Sequence, residues 1–180
     1  MTTASTAIRR KTSGVVMLLA AGKGLRMRPL TRHRPKPLVE VAGAALIDRA
    51  LERIGEAGLR RCVVNLHYRA AMVRKHLARR DGVEICFSDE TDALLETGGG
   101  VAKALPDLRD SQGRARPFFV ANSDALWLDG KVNAFDRLAG AWDGRRMDAL
   151  LLLQPKSRAV RYAGAGDYRR AADAPLPLSP

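Results

Sequence analysis

The stretch Gly14-Val15-Val16-Met17-Leu18-Leu19-Ala20-Ala21-Gly22-Lys23-Gly24 decides the fold. Its first half is a short continuous apolar run bounded by glycine, the pattern of a strand buried on both faces of a parallel sheet. Its second half changes character at once. From residue 21 to residue 37 the chain is rich in Gly, Arg, Lys and Pro, too polar for a core and too long for an ordinary strand-to-helix turn. A glycine-rich turn leaving a buried strand presents backbone N–H groups to an anion, and Lys23, Arg26 and Arg28 add charge there. Phosphate is the ligand such a turn suits. The P-loop pattern is excluded because no Lys-Ser or Lys-Thr follows at the required spacing, and GxGxxG is incomplete, which disfavours a dinucleotide site.

Outward from this stretch, Leu46, Ile47, Ala50, Leu51 and Ile54 recur at helical spacing among Asp48, Arg49, Glu52 and Arg53, with Gly58 as the stop. Residues 62–66 read as a second strand, 70–79 as a second helix and 83–87 as a third strand. After Gly98-Gly99-Gly100 a short helix is expected to run to Leu105, ahead of Pro106. A fourth strand is predicted over 117–121, ending at Asn122-Ser123-Asp124, then a helix over about 132–141 and a fifth strand over 148–153. This alternation at the βαβ pitch predicts an α/β fold: a Rossmann-like, mostly parallel sheet with helices on both faces and its ligand at the carboxyl ends of the strands. Residues 1–13, polar, basic and aperiodic, read as a disordered leader, and 169–180 as an irregular tail.

At 180 residues the chain has a one-domain length. Lys and Arg number 31 against 19 Asp and Glu, a net charge of +12 that favours phosphate-bearing partners. Nucleic acid is not the expected one: the cations are scattered, and with 5% aromatic residues the chain lacks the stacking platforms that read single strands. Cys62 and Cys86 lie in apolar runs and read as free thiols of a reducing compartment. Arg9-Arg10-Lys11 before the first apolar run imitates a secretory signal, but the run is short and leads straight into Lys23, Arg26 and Arg28. No segment approaches the ~20 apolar residues of a membrane span. A cytoplasmic protein without a membrane partner is therefore expected.

Three further motifs bear on chemistry. In Arg34-Pro35-Lys36-Pro37-Leu38 two prolines stiffen the backbone around one lysine, which suits an ammonium aimed at a phosphate, although an exposed kinked loop has the same pattern. Asn122-Ser123-Asp124 presents a carboxylate at a strand end beside the phosphate turn, a natural partner for Mg²⁺; a simple Asx turn is the alternative. Leu95-Glu96-Thr97-Gly98-Gly99-Gly100 allows close backbone approach to a ligand at a helix start, or forms a flexible link. His33, His67 and His76 share no metal-ligand spacing, and no Ser-His-Asp order is present.

Together, residues 19–31 (the pattern LAAGxGxRMxPLT), 35–38 (PKPL) and the Asp closing the fourth strand resemble the sugar-1-phosphate nucleotidyltransferases. The Leu-Glu-Thr-Gly-Gly-Gly segment and Val64-Asn65-Leu66-His67-Tyr68 are most similar to the small bacterial N-acetylmuramate-1-phosphate uridylyltransferase type. The resemblance spans roughly residues 15–154. It implies a nucleotide-diphospho-sugar transferase fold over residues 14–168, incomplete at the C-terminal end because the segments that complete the sugar pocket and a second metal carboxylate are not recognisable. It also implies roles: Ala20, Ala21 and Gly22 against the nucleoside; Lys23, Gly24, Leu25 and Arg26 at the triphosphate; Lys36 on the α-phosphate; Asp124 on Mg²⁺. Asn122 and Thr97 would touch the sugar phosphate, and Glu90 and Gly98 would line the base or sugar. The implied reaction joins a nucleoside triphosphate to a sugar-1-phosphate with loss of pyrophosphate. UTP with an amino-sugar phosphate is favoured, and GTP with mannose-1-phosphate is another pair. The competing reading is a non-catalytic nucleotide-binding fragment.

Overall fold

The computed structural model describes residues 5–159 and 162–168. In chain order the elements are α1 (Thr6–Lys11), β1 (Val15–Leu19), β2 (Glu40–Val41), β3 (Ala44–Ala45), α2 (Leu46–Glu56), β4 (Arg61–Leu66), α3 (Ala70–Leu77), β5 (Glu84–Asp89), α4 (Glu96–Ala104), β6 (Phe119–Asn122) and α5 (Ala134–Ala141). Four strands form a parallel sheet in the order β5-β4-β1-β6, with Val16 opposite both Cys62 and Phe119.

Strand alternation divides the core into two layers. Val16 and Leu18 of β1, with Cys62, Val64 and Leu66 of β4, point to one face, where they meet the buried apolar stripes of α2 and α3 and Phe135 of α5. Val15, Met17 and Val63 point to the other face and pack on Ala104 at the end of α4 and on Leu108 in the turn that follows it. This is the expected two-faced sheet. It follows from the direction of the crossovers: α2 and α3 carry the chain from β1 outward to β4 and β5, and α4 carries it back across the sheet to β6. Crossovers of one hand run in opposite directions cover opposite faces.

Three expectations are corrected. The disordered leader expected over 1–13 is contradicted from residue 5 onward: Thr6–Lys11 is helical, with Ser5 capping its start through Ile8 N–H at 3.3 Å, while residues 1–4 lie outside the described residues. Ile8 is fully buried in the main core, and Lys11 Nζ donates to the carbonyls of Gly140 and Trp142 at 2.8 and 2.9 Å, at the C-terminal end of α5. The segment is ordered by tertiary contacts that no local pattern reports. The predicted strand over 148–153 is irregular, with Leu151, Leu152 and Leu153 each about half exposed, because a strand exists only in a ladder and these residues join none. The glycines at 98–100 do not precede a helix but lie inside α4. A Cβ on Gly100 would stand 2.6 Å from Glu90 Oε1, so close approach offsets the poor helix propensity there. The predicted tail over 169–180 lies outside the described residues.

The short β2–β3 hairpin, turning at Ala42 and Gly43, was not anticipated. It delivers the chain from the long polar loop into α2, whose first N–H, that of Leu46, bonds Val39 O at 3.0 Å.

Candidate functional site

From β1 the chain steps to β4 on one side and later returns to β6 on the other, so strand order reverses between β1 and β6. The crevice outside the carboxyl ends at such a switch point is where open α/β sheets bind ligands. A cavity of about 510 Å³ lies there, walled by the β1 exit, the Lys36 turn, the β6 exit and the start of α4.

The loop leaving β1 is held at both ends. Ala20 N–H donates to Asn65 Oδ1 at 2.7 Å, and Tyr68 N–H donates to Ala21 O at 3.3 Å. At the far end the Tyr68 hydroxyl lies 3.1 and 3.0 Å from the carbonyl oxygens of Thr31 and Arg32, and Arg69 Nη2 donates to the latter at 3.0 Å. Between these anchors Gly24, at φ +63°, opens a 3₁₀ turn over Leu25–Met27, and its carbonyl accepts from Thr31 Oγ1 at 2.7 Å. A Cβ there would stand 3.0 Å from Thr31 Cγ2 and 3.1 Å from Lys36 Cβ, in a backbone conformation that costs an L-residue about 1–2 kcal/mol. Gly24 thus sets how closely the phosphate-type turn lies against Lys36.

Lys36 opens its own 3₁₀ turn, Lys36–Leu38, with Pro35 before it and Pro37 inside it. Its Nζ forms an ion pair with Asp124 Oδ2, and both side chains remain about one third exposed. Asp124 is placed by Ser123, whose N–H and Oγ both bond Leu19 O, at 3.2 and 2.7 Å, extending the β1–β6 register by one residue. The two residues assigned opposite charges in the chemistry are therefore brought together from separate segments.

Of the predicted site residues, Ala20, Ala21, Gly22, Gly24, Leu25, Arg26, Lys36, Thr97, Asn122 and Asp124 line this cavity. Three do not. Lys23 is exposed outside the lining, and Gly98 sits further into α4 than the residues that reach the cavity, Glu96 and Thr97. Glu90 is 1% exposed and lies behind Asn65, to whose Nδ2 its Oε1 is bonded at 2.8 Å. Sequence reasoning assigned no role to seven other lining residues: Leu19, Met27, Pro37 and Ser123, each next to an assigned residue, and Asn65, Leu94 and Glu96. The signal for Asn65 was present as a lone amide in the otherwise apolar run of β4. Glu96 has φ +57°, rare for a non-glycine residue and invisible to sequence patterns.

Among the described residues no three His, Cys, Asp or Glu side chains cluster as a metal cage. Asp124 offers a carboxylate beside the phosphate-type turn, and Glu96 lines the same cavity from the start of α4; a carboxylate placed like Asp124 suits a cation shared with phosphate oxygens and water, as Mg²⁺ is commonly held. No described helix is long and apolar enough to cross a membrane. Cys62 and Cys86 are free, and burial pushes the Cys62 thiol well above its ordinary range.

The end of β5, ahead of Glu90, is closed by Asp89. Its carboxylate accepts from the Thr91 hydroxyl at 2.6 Å, from Thr91 N–H at 2.9 Å and from Arg74 Nη2 at 2.6 Å, which holds it well below the usual carboxylate range. The folded form then binds this proton less readily than the unfolded chain. The stabilisation is present above the ordinary value of about 3.9 and is lost as the pH falls below it. Asp89→Asn is expected to melt below the parent at pH 7, with the gap beginning to narrow as the pH falls below about 3.9 and closing only through the depressed folded-state value; equal melting temperatures at pH 7 would refute this role.

A sequence profile of the nucleotidyl transferase family matches residues 15–163. Over 163 residues the chain is 45% identical to the N-acetylmuramate alpha-1-phosphate uridylyltransferase of Caulobacter vibrioides, covering 88% of this chain and 65% of that protein. It is 44% identical over 112 residues to the protein of the same name from Neisseria meningitidis, covering 61% and 46%. The mannose-1-phosphate guanylyltransferase catalytic subunit beta of Drosophila melanogaster is 42% identical over 113 residues, covering 61% and 30%. The chain thus spans less than two thirds of the length of these relatives. Among solved structures, HddC from Yersinia pseudotuberculosis superposes with a TM-score of 0.52 at 28% identity, covering 61% of this chain and 47% of that one; a second structure of it is complexed with GMP-PN. A UDP-glucose pyrophosphorylase complexed with UDP-glucose has the same fold, with a TM-score of 0.57 at 16% identity and coverage of 70% and 52%.

Proposed function

The chain belongs to the nucleotidyl transferase family, and from that premise we propose that its switch-point cavity binds a nucleoside triphosphate and transfers the nucleotidyl group to a sugar-1-phosphate. The observation that carries this is the meeting of Lys36 and Asp124 in one crevice with the phosphate-type turn at Gly24. A phosphate oxygen of the sugar-1-phosphate attacks the α-phosphorus in line, and the bond from that phosphorus to the bridging oxygen of the β-phosphate breaks, releasing pyrophosphate. No side-chain nucleophile is needed, so catalysis is positioning and charge neutralisation.

In this reading Ala20, Ala21 and Gly22 lie against the nucleoside, and the turn from Gly24 to Arg26 holds the phosphates with Lys23 contributing charge from outside. Lys36 neutralises the α-phosphate as it is attacked. Asn122 and Thr97 face the sugar phosphate. Members of this family generally use divalent metal ions, and Asp124 would hold Mg²⁺ together with phosphate oxygens. Such an ion supplies neutralisation of the charge that develops on the leaving pyrophosphate.

For the donor, UTP with an amino-sugar phosphate of the N-acetylmuramate kind is favoured, which would place the protein in cytoplasmic cell-wall sugar metabolism. The support is that likeness to the Caulobacter uridylyltransferase extends over 88% of the chain, against 61% for both the Neisseria uridylyltransferase and the Drosophila guanylyltransferase.

The test is a thermal-melt series with UTP, GTP, ATP, CTP and dTTP, each with and without Mg²⁺. A ligand at about 100 times its Kd stabilises the folded state by about 2.7 kcal/mol. UTP with Mg²⁺ is expected to give the largest upward shift, followed by pyrophosphate release when the sugar phosphate is added. A cooperative melt that no nucleotide moves would refute the reading. A shift without pyrophosphate release would leave a binding module.

A further inference from the structure

Behind the cavity lies Glu90, the most deeply buried acidic residue among the described residues and one that forms no ion pair there. A buried carboxylate is costly, and an apolar side chain of similar volume serves a purely structural position as well or better. What Glu90 does instead is join two walls. Its Oε1 accepts from Asn65 Nδ2 at 2.8 Å, and its Oε2 accepts from Leu95 N–H at 3.2 Å. Asn65 in turn accepts from Ala20 N–H through Oδ1 at 2.7 Å. A backbone N–H only donates, so the atom of Asn65 facing Ala20 must be its oxygen, and the Asn65 amine is left to face Glu90. One wall of the cavity contains Ala20 and Asn65; the other contains Leu94, Glu96 and Thr97, on either side of Leu95.

Two further features point the same way. Gly100 lies so close that a Cβ would stand 2.6 Å from Glu90 Oε1 and 2.9 Å from Asn65 Nδ2, so α4 is packed directly onto the pair. Glu96, next to the bonded Leu95, holds a left-handed φ of +57°, a conformation that persists in a non-glycine residue only where its surroundings enforce it.

We propose that Glu90 is a positioning residue for the nucleoside part of the donor. Through Asn65 and Leu95 it sets the separation of the two walls and the orientation of the Asn65 amide, without itself touching the ligand. This rests on the nucleotide-binding function proposed above and adds the division of labour within it: the nucleoside wall depends on Glu90, and the phosphate turn at Gly24 does not. The closest links of that turn run instead to Thr31 and Lys36.

Glu90→Gln keeps the volume but loses one link in either orientation of its amide, because its NH₂ must face Asn65 Nδ2 or Leu95 N–H, a donor against a donor. Binding of UTP and of inorganic tripolyphosphate, each with Mg²⁺, would be measured by calorimetry on parent and variant, alongside a ligand-free melt. The variant is expected to bind UTP about tenfold more weakly, a lost net hydrogen bond's worth, with tripolyphosphate affinity unchanged. Equal UTP affinity in the two proteins, or an equal loss for both ligands, would overturn the proposal while leaving the nucleotide site standing. A parent that binds no nucleotide at all would overturn the proposed function and this inference with it. Should Glu90→Gln fail to melt cooperatively, Gly100→Ala carries the same test, since its methyl group displaces Glu90 from outside the cavity lining, and the same selective loss is expected.

Discussion

Replacing Lys36 by alanine is expected to lower turnover by about 10²–10³-fold, the usual loss when one preorganised group that meets developing charge is removed. Folding should hardly change. Lys36 is partly exposed, and its pairing with Asp124 is the sort of contact worth about 1 kcal/mol or less to stability. The separation of the two effects follows from the local backbone: with Pro35 and Pro37 flanking it and the Lys36–Leu38 turn closed by Val39 N–H onto Lys36 O at 3.0 Å, the turn keeps its shape without the ammonium. Pyrophosphate release from UTP and a sugar-1-phosphate, together with a melt of the same preparation, reads both. An unchanged rate would remove Lys36 from the chemistry. A rate loss accompanied by a collapsed melt would make its role structural.

Ile8→Ala should produce the largest loss of stability, about 2–5 kcal/mol for a buried isoleucine truncated to alanine, or roughly 2–4 °C in Tm per kcal/mol for a chain of this size. Ile8 is fully buried, and α1 closes over α5 through Lys11, whose ammonium meets the carbonyls of Gly140 and Trp142. The substitution lies far from Lys36 and Asp124 in the chain and touches neither. Nucleotide-induced shifts in Tm should therefore persist on the lowered baseline. A variant that melts with the parent would mean that the first helix contributes nothing to the fold.

How far the sequence can be read depends on whether a feature is local. Periodicity located α2 because five apolar residues on one face form a pattern within eleven positions, and all five are buried. A continuous apolar run located β1 for the same reason. The first helix was missed because six residues with three cations carry no stripe, and its order comes from one isoleucine and contacts some 130 residues away in the chain. The run at 148–153 failed in the opposite sense: its composition suits a strand, but pairing is settled by neighbours that the run does not contain. At the site, motif residues such as Gly24, Lys36 and Asp124 were legible as types with a spacing, and the cavity joins them. Glu90 was assigned a place on the wall, and its burial behind Asn65 could not be foreseen, since a carboxylate in a motif carries no mark of which way it faces. Asn65 and Glu96 act through an amide orientation and a backbone angle, neither of which residue identity records.

The double attachment of the β1 exit loop to Tyr68 and Arg69 has a consequence for digestion by proteases. Lys23, Arg26 and Arg32 supply three cleavage sites for a trypsin-like enzyme within ten residues of largely exposed chain, the bond after Arg28 being blocked by Pro29. Exposure alone does not make them substrates, because a protease must draw several residues into an extended form. Here Tyr68 N–H holds Ala21 O while the Tyr68 hydroxyl and Arg69 hold the carbonyls of Thr31 and Arg32, so the segment is a ring closed on one dipeptide. A ring of this kind opens as a unit or stays shut, and its opening free energy is that of the clamp rather than that of a frayed loop. This basic and largely exposed stretch is accordingly protected from cutting by two residues that lie outside it in sequence.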